Sequence, residues 1–496
     1  MNVGKEIERM VSEKGEKIGL VFEGKEYTWN EIGKTVNRYA NFLKSIGAGK
    51  GEKVAIYLPN MPEYIFLYFA IFKIGGISVP LDSRLKIEEI IPLLSHSGCK
   101  YLFTYTPKGF NPSFIKEKVK NLKEIITISE NYPDTIHLNQ MIDKYPSDFP
   151  VSEIDENSIS SIFYTSGTTG IPKGVIWTYR HLDSPVESLK YYNYIKDGDT
   201  TVCPLPLSHN GGIAAALLLF LGVKLVLMER YSPLKLLELM KEYRASFVFL
   251  VPSMFVGMLN LKEFENTKLP HLRWVAVFGA PSSPELLERF RKTCPDAKLF
   301  SGYGLTESAA PNVLPPLDKI KPGSVGKPVP WMEVKIIDEN GKEVPAGKTG
   351  EIIMKGWPIT PGYYNQPELT KNTIKDGWLY TGDIGKFDED GYLYIVGRKK
   401  DMIIVGGLNV YATEVENVIF KHPKVKEVAV VGVAEKLRGE AIKAVIVPKE
   451  GEKLTEDEIK IFCRKHLASY KVPTIIEFRD SLPKTGSGKI KKELLK

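Results

Sequence analysis

The chain of 496 residues is 43% hydrophobic and 26% charged, an ordinary globular composition that argues against disorder on any large scale. Its four cysteines, Cys99, Cys203, Cys294 and Cys463, lie far apart with no Cys-x-x-Cys pair, and the seven histidines show no ligand spacing, so neither a disulfide framework nor a zinc site is expected. The net charge of +7 comes from lysines interspersed with glutamates, whereas a nucleic-acid-binding protein concentrates basic charge on one face.

At roughly 150 residues per domain the length allows two to four units. The stretch 1–17 is charged and amphipathic and lacks the apolar segment of a signal peptide. The longest apolar run, Ile213 to Met228, is interrupted by Gly222 and Lys224 and falls short of the ~20 residues of a spanning helix. It reads as a buried helix followed by a buried strand. No transmembrane segment is expected, and the location expected is cytoplasmic.

From about residue 50, short apolar runs alternate with amphipathic ones. Strands are expected at Val54–Leu58, Tyr101–Thr104, Ser160–Tyr164, Val223–Met228, Phe247–Val251, Trp274–Phe278 and Leu299–Ser301, with helices between them such as Glu63–Ile74 and Pro284–Thr293. That alternation predicts an α/β protein with layered, largely parallel sheets. After Gly323 the pattern becomes β-like at Glu333–Asp338, Gly350–Lys355 and Tyr392–Gly397, punctuated by Asn340-Gly341 and Asp390-Gly391 turns, which suggests a small β subdomain. Past Asp401 a compact α+β unit is expected, with helices at Thr413–Phe420 and Thr455–His466 and strands at Val428–Val433 and Ala441–Val447. Thr455 with Glu458 three residues on has the spacing of a helix start. The expected division is 1–398, with its β subdomain at about 323–398, and 399–496.

The segment Tyr164 to Gly174, YTSGTTGIPKG, follows an expected strand and precedes an expected helix. Gly167, Gly170 and Gly174 allow close approach of backbone to a ligand. Thr165, Ser166, Thr168 and Thr169 add hydroxyls, and Lys173 adds a cation. Successive N–H groups in such a turn make an anion-binding concavity, which points to phosphate. The segment is not a Walker A loop, because Ile-Pro-Lys follows Gly170. The later Gly-Ser-Gly-Lys ending at Lys489 fails the same pattern, because Ile490 follows.

This stretch resembles the signature of the adenylate-forming enzymes, the superfamily of acyl-CoA synthetases, nonribosomal adenylation domains and beetle luciferases. Further motifs follow in that family's order: SGYGLTES (Ser301–Ser308), GEIIMKG with PGYYNQPELT (Gly350–Thr370), YTGD (Tyr380–Asp383), GRKKDMIIVGG (Gly397–Gly407) and PKTGSGKI (Pro483–Ile490). The resemblance covers nearly the whole chain. It implies a large N-terminal domain of two layered α/β sheets with a small β-barrel, followed by a small mobile α+β C-terminal domain.

The resemblance also implies roles. Thr165 to Gly170 and Lys173 would bind ATP phosphates, with Ser301, Gly302, Tyr303 and Gly304 at the adenine. Thr306 would bond the α-phosphate, and Glu307 would hold Mg2+, a hard cation that prefers carboxylate and phosphate oxygens. Asp383 and Arg398 would hold the ribose, and Gly279, Ala280 and Pro281 would form the wall facing adenine and acid. Lys489 would bridge the acid and the phosphates during adenylation. Lys400 takes the hinge position, and Gly406-Gly407 would leave room for the pantetheine arm of coenzyme A. LPLSHNGG, Leu205 to Gly212, resembles the gate of the acid pocket, with His209 as the gating ring and Ser208 where relatives commonly have Phe.

The leading reading is an ATP-dependent acyl-CoA ligase for a medium- or long-chain fatty acid or a similar apolar acid, using ATP, Mg2+ and coenzyme A. Two others remain: an amino- or aryl-acid adenylation enzyme that loads a carrier protein, and a non-catalytic ATP-binding regulator. The gate has no acidic residue to pair an amino-acid ammonium, and Thr306, Glu307, Asp383, Arg398 and Lys489 are all present. Homo-oligomerisation is left open.

Overall fold

Apolar strands and an apolar helix between them organise the first three hundred residues of this computed structural model. It describes the chain except for residues 106–109, 129–130, 166–172, 279–283, 406–407, 436–438 and 485–489. One seven-stranded sheet runs in the order Lys298–Phe300, Trp274–Val277, Phe247–Leu250, Thr200–Cys203, Lys224–Leu227, Ile18–Phe22, Lys25–Thr28. The other runs Ile136–His137, Glu124–Thr127, Tyr101–Thr104, Lys53–Tyr57, Ile77–Pro80, Ile159–Thr165, Lys173–Thr178. Neighbours are parallel in both except the last pair of each. Strands such as FVFL and WVAV are buried at every position, as expected for parallel strands covered on both faces.

The helix Pro62–Lys73, PEYIFLYFAIFK, is buried almost all round, so no solvent face is written into its sequence. Its Phe69 packs on Phe220 and its Phe72 on Tyr179, with ring centroids 4.9 and 6.0 Å apart. Both sheets contribute to this one core, with Leu225 and Trp274 from the first and Phe103 and Trp177 from the second. Nearby, the buried Asn60 donates from Nδ2 to the carbonyls of Leu205 and Met228 and accepts from the Leu207 N–H. A buried amide bonded this fully fixes the loop that leads into the expected acid gate.

The β subdomain is a five-stranded antiparallel sheet, Met332–Ile337, Gly350–Gly356, Trp378–Phe387 and Ile374–Lys375, with Leu393–Arg398 also paired to Trp378–Phe387. The expected barrel is thus a half-barrel. A further sheet carries the C-terminal part: Leu408–Tyr411, Met402–Val405, Gly439–Pro448 and Val425–Glu435, with Ile475–Phe478 parallel to Gly439–Pro448. Helices Ala412–Ile419 and Glu456–His466 bury Val415, Ile419, Ile459 and Cys463 in a core of its own. The Thr455 hydroxyl accepts from the Glu458 N–H, the cap expected from the sequence.

One expectation is corrected. The segment after the glycine-rich stretch is the strand Lys173–Thr178, antiparallel to Ile159–Thr165, and not a helix. The β-branched and aromatic run Val175-Ile176-Trp177-Thr178 favours an extended chain that buries Val175 and Trp177.

Candidate active site

The segment after strand Lys298–Phe300 is pressed close to its neighbours. A Cβ added to Gly302 would lie 2.5 Å from Phe278 Cε1, so only glycine fits there. Tyr303 then bridges Val313 through paired backbone hydrogen bonds of 2.9 and 3.0 Å, and Thr306–Ser308 forms a single 3-10 turn. Three contacts hold that turn from outside. Trp177 Nε1 donates to the Thr306 carbonyl at 2.7 Å, Thr360 N–H to the Glu307 carbonyl at 2.8 Å, and Tyr363 Oη to Glu307 Oε1 at 3.0 Å. Thr306 and Glu307 remain half-buried, open to a ligand on one side.

Asp383 lies in the long strand Trp378–Phe387, directly opposite Arg398 in the next strand. Its side chain is 5% exposed, and it accepts from Arg398 Nε at 2.8 Å on one oxygen and from Tyr303 Oη at 2.8 Å on the other. Burial, and then the Asp383 carboxylate, push the Tyr303 phenol well above its ordinary range, so it stays a donor. Residues 80 positions apart are thereby joined in one charged cluster. Next to it Lys399 Nζ donates to Glu351 Oε2 at 2.7 Å, while Lys400 is exposed in the turn Lys399–Asp401.

His209 precedes the helix Asn210–Leu217. A Cβ at Gly212 would meet the Pro206 carbonyl oxygen at 2.1 Å, so the turn around His209 needs that glycine. His209 Nε2 lies 3.2 Å from Asp82 Oδ2, and Arg84 grips the same carboxylate through Nε at 2.8 Å and a second nitrogen at 2.6 Å. Ser208 is buried. Burial alone would raise the Asp82 carboxyl, but hydrogen bonds from His209 and Arg84 outweigh it and hold the group well below the usual carboxylate range. A folded pKa below the unfolded value of 3.8 means stability that is present above that value and lost as pH falls through the lower, folded pKa. Asp82→Asn is therefore expected to lower the melting temperature at neutral pH. The gap from wild type should shrink as the pH falls below about 4 in pH-dependent thermal melts.

Of the residues singled out from sequence, Tyr303, Asp383 and Arg398 come together, and Thr306 and Glu307 follow Tyr303 in the same segment. Thr165 and Lys173 face each other at the base of the glycine-rich loop, paired in strand register. Ser301, Gly302 and Gly304 flank Tyr303. Ser166, Gly167, Thr168, Thr169, Gly170, Gly279, Ala280, Pro281, Gly406, Gly407 and Lys489 lie outside the described residues. Sequence reasoning missed Asp82, Arg84, Trp177 and Tyr363. The Asp-Ser-Arg triplet gives no local sign of its partner, because His209 is 127 positions away. The Tyr-Tyr pair 363–364 stood inside a motif already noted, but nothing in it names Glu307.

Among the described residues no group of three or more His, Cys, Asp or Glu side chains could hold a metal unaided. Glu307 offers one carboxylate, whose Oε1 is taken by Tyr363. Mg2+ typically takes one or two carboxylates together with phosphate oxygens and water, and a single Glu carboxylate with one oxygen held by Tyr363 fits that pattern. The arrangement as a whole places a hydroxyl and a carboxylate at Thr306-Glu307, a carboxylate–guanidinium pair at Asp383-Arg398, and an imidazole against the Asp82 carboxylate at His209. Such a set suits activation of an acid by a nucleotide.

Comparison with known proteins identifies the family. The model of the AMP-binding enzyme family matches residues 7–364, and that of the AMP-binding enzyme C-terminal domain matches residues 414–489. The chain belongs to the AMP-binding enzyme family. Crotonobetaine/carnitine–CoA ligase of Salmonella typhimurium (strain LT2) is 35% identical over 97% of this chain and 96% of its own length. Long-chain-fatty-acid–CoA ligase of Bacillus subtilis (strain 168) is 33% identical over 96% of this chain and 90% of its own. Among solved structures, ATP-bound MatB from Rhodopseudomonas palustris superposes with a TM-score of 0.91 at 29% identity, covering 100% of this chain and 98% of that one. The anthranilate CoA ligase AuaEII with anthranoyl-AMP gives a TM-score of 0.92 at 27% identity, covering 100% and 96%. The protein is an enzyme of the AMP-forming acid–thiol ligase class, using ATP and coenzyme A. Among the described residues no helix is long and apolar enough to cross a membrane.

Proposed function

We propose that the acid this acyl-CoA ligase activates is an uncharged-tail, apolar one, with medium- and long-chain fatty acids as the leading class. The observation that carries this is the state of Asp82. It is the carboxylate beside the gate histidine, and Arg84 and His209 already occupy it. A cationic substrate tail would need an uncommitted carboxylate there, since removing a charge from water without a partner is costly.

The reaction has two steps. In the first, a carboxylate oxygen of the acid attacks the α-phosphorus of ATP and the bond to the pyrophosphate oxygen breaks. Thr165 to Gly170 and Lys173 hold the leaving phosphates, Thr306 bonds the α-phosphate, and Asp383 with Arg398 orients the ribose. Lys489 offsets the charge that gathers as two anions meet. Mg2+ at Glu307 would neutralise phosphate charge when bound. In the second step the thiol sulfur of coenzyme A attacks the acyl carbon and AMP leaves. The unit 399–496 turns about Lys400 between the steps, exchanging Lys489 for the face of Gly406-Gly407.

A carnitine-like acid is the second reading, favoured by the name of the Salmonella relative. A pyrophosphate-release screen separates the two. Octanoate, palmitate, benzoate, crotonobetaine and carnitine would each be tested with and without coenzyme A. Fatty acids are expected to give the highest kcat/KM. Preference for the quaternary ammonium acids would overturn the apolar assignment.

A further inference from the structure

We infer that Tyr363 is a positioning residue for adenylation, setting the orientation of the Glu307 carboxylate against the metal–nucleotide. The inference rests on the reading of Glu307 as the Mg2+ ligand.

Tyr363 is 7% exposed, and its hydroxyl donates to Glu307 Oε1 at 3.0 Å. Glu307 Oε2 has no protein partner among the described residues. One oxygen is thus committed and the other is left for a ligand, which fixes the plane of the carboxylate.

The backbone around Tyr363 makes this more than a chance contact. Residues 359–364 lie as a strap along the strand Lys173–Thr178, which starts as the glycine-rich loop ends. Ile176 N–H donates to the Gly362 carbonyl at 3.1 Å, Tyr364 N–H to the Gly174 carbonyl at 2.7 Å, and Val175 bridges Tyr363. Thr360 Oγ1 donates to the Ile176 carbonyl at 2.6 Å, and its N–H to the Glu307 carbonyl at 2.8 Å. His181 Nε2, 3.1 Å from the Ile359 carbonyl, ties the start of the strap to the same part of the chain. The strap therefore joins the root of the phosphate loop to the Thr306-Glu307 turn. Tyr363 is its only side-chain link to the Glu307 carboxylate among the described residues. Two groups that must meet the same triphosphate are held in register by it, the kind of supporting contact on which precise placement depends.

The test is Tyr363→Phe, which keeps the ring and removes only the hydroxyl, compared with Glu307→Gln and the double variant. Free Mn2+ is followed by electron paramagnetic resonance as enzyme is added to MnATP, alongside the Mg2+ dependence of pyrophosphate release. Tyr363→Phe is expected to weaken Mn2+ binding to the enzyme–ATP complex and raise the half-saturating Mg2+ by roughly 10-fold, the scale of one hydrogen bond to a charged group. Thioester formation from supplied acyl-adenylate should keep its rate. Adding Tyr363→Phe to Glu307→Gln should cause no further loss. If Glu307→Gln shifts the metal dependence and Tyr363→Phe does not, or if the two losses simply add, the inference is wrong. If Glu307→Gln itself leaves metal binding unchanged, the metal reading of Glu307 falls instead.

Discussion

Replacing Asp383 with alanine is expected to lower kcat/KM for ATP by about 100-fold or more, most of it in KM. The carboxylate is proposed to accept both ribose hydroxyls, and two hydrogen bonds to a charged group at ~1.5 kcal/mol each amount to that factor. The loss reaches further than the ribose. Asp383 also accepts from Arg398 and from Tyr303, so its removal frees the guanidinium at the end of the N-terminal unit and leaves the buried phenol without that acceptor. Asp383→Asn keeps one acceptor oxygen and should lose less, about 10-fold. Steady-state kinetics with ATP varied and acid saturating measure this. Circular dichroism melts show whether the alanine variant is folded at the assay temperature.

Lys489→Ala is expected to have the second large effect, and a selective one. Adenylate formation should fall by at least ~100-fold, the usual loss for one preorganised donor at developing negative charge. Thioester formation from supplied acyl-adenylate should keep most of its rate, because Lys489 is proposed to leave the site before the thiol attacks. The two half-reactions are read separately, as pyrophosphate release and as acyl-CoA formation. Equal losses in both would contradict a lysine that serves only the first step.

The difference between these two residues illustrates what the sequence can carry. Asp383 and Arg398 belong to adjacent strands of one hairpin, 15 positions apart, and local β patterning with an Asp-Gly turn between them brings them opposite each other. The apolar strands of the parallel sheets were legible for a similar reason: FVFL and WVAV can be buried only on both faces. The motif residues of the nucleotide site could be read because their order along the chain is itself the signal.

Long-range side-chain pairing could not be read that way. Asp82 and His209 lie on different sheets' loops and meet through packing of the buried helix Pro62–Lys73 and the Asn60 hydrogen bonds, neither of which leaves a periodic trace. Tyr363 reaches Glu307 only because its strap pairs with a strand that the sequence suggested would be a helix. That error had a physical source. Gly174 followed by Val-Ile-Trp-Thr suits a strand, whereas a glycine-rich phosphate loop usually leads into a helix N-terminus, so the two local signals point in opposite directions.

The central claim is that the acid is activated through an acyl-adenylate. It is tested most directly by giving the enzyme palmitate labelled with 18O in its carboxylate, together with ATP and coenzyme A, and weighing the products by mass spectrometry. The account predicts one 18O atom in each AMP formed, because the acid's oxygen becomes bonded to the α-phosphorus and stays there when the thiol displaces AMP. Label appearing in inorganic phosphate with ADP as the nucleotide product, or unlabelled AMP, would contradict it.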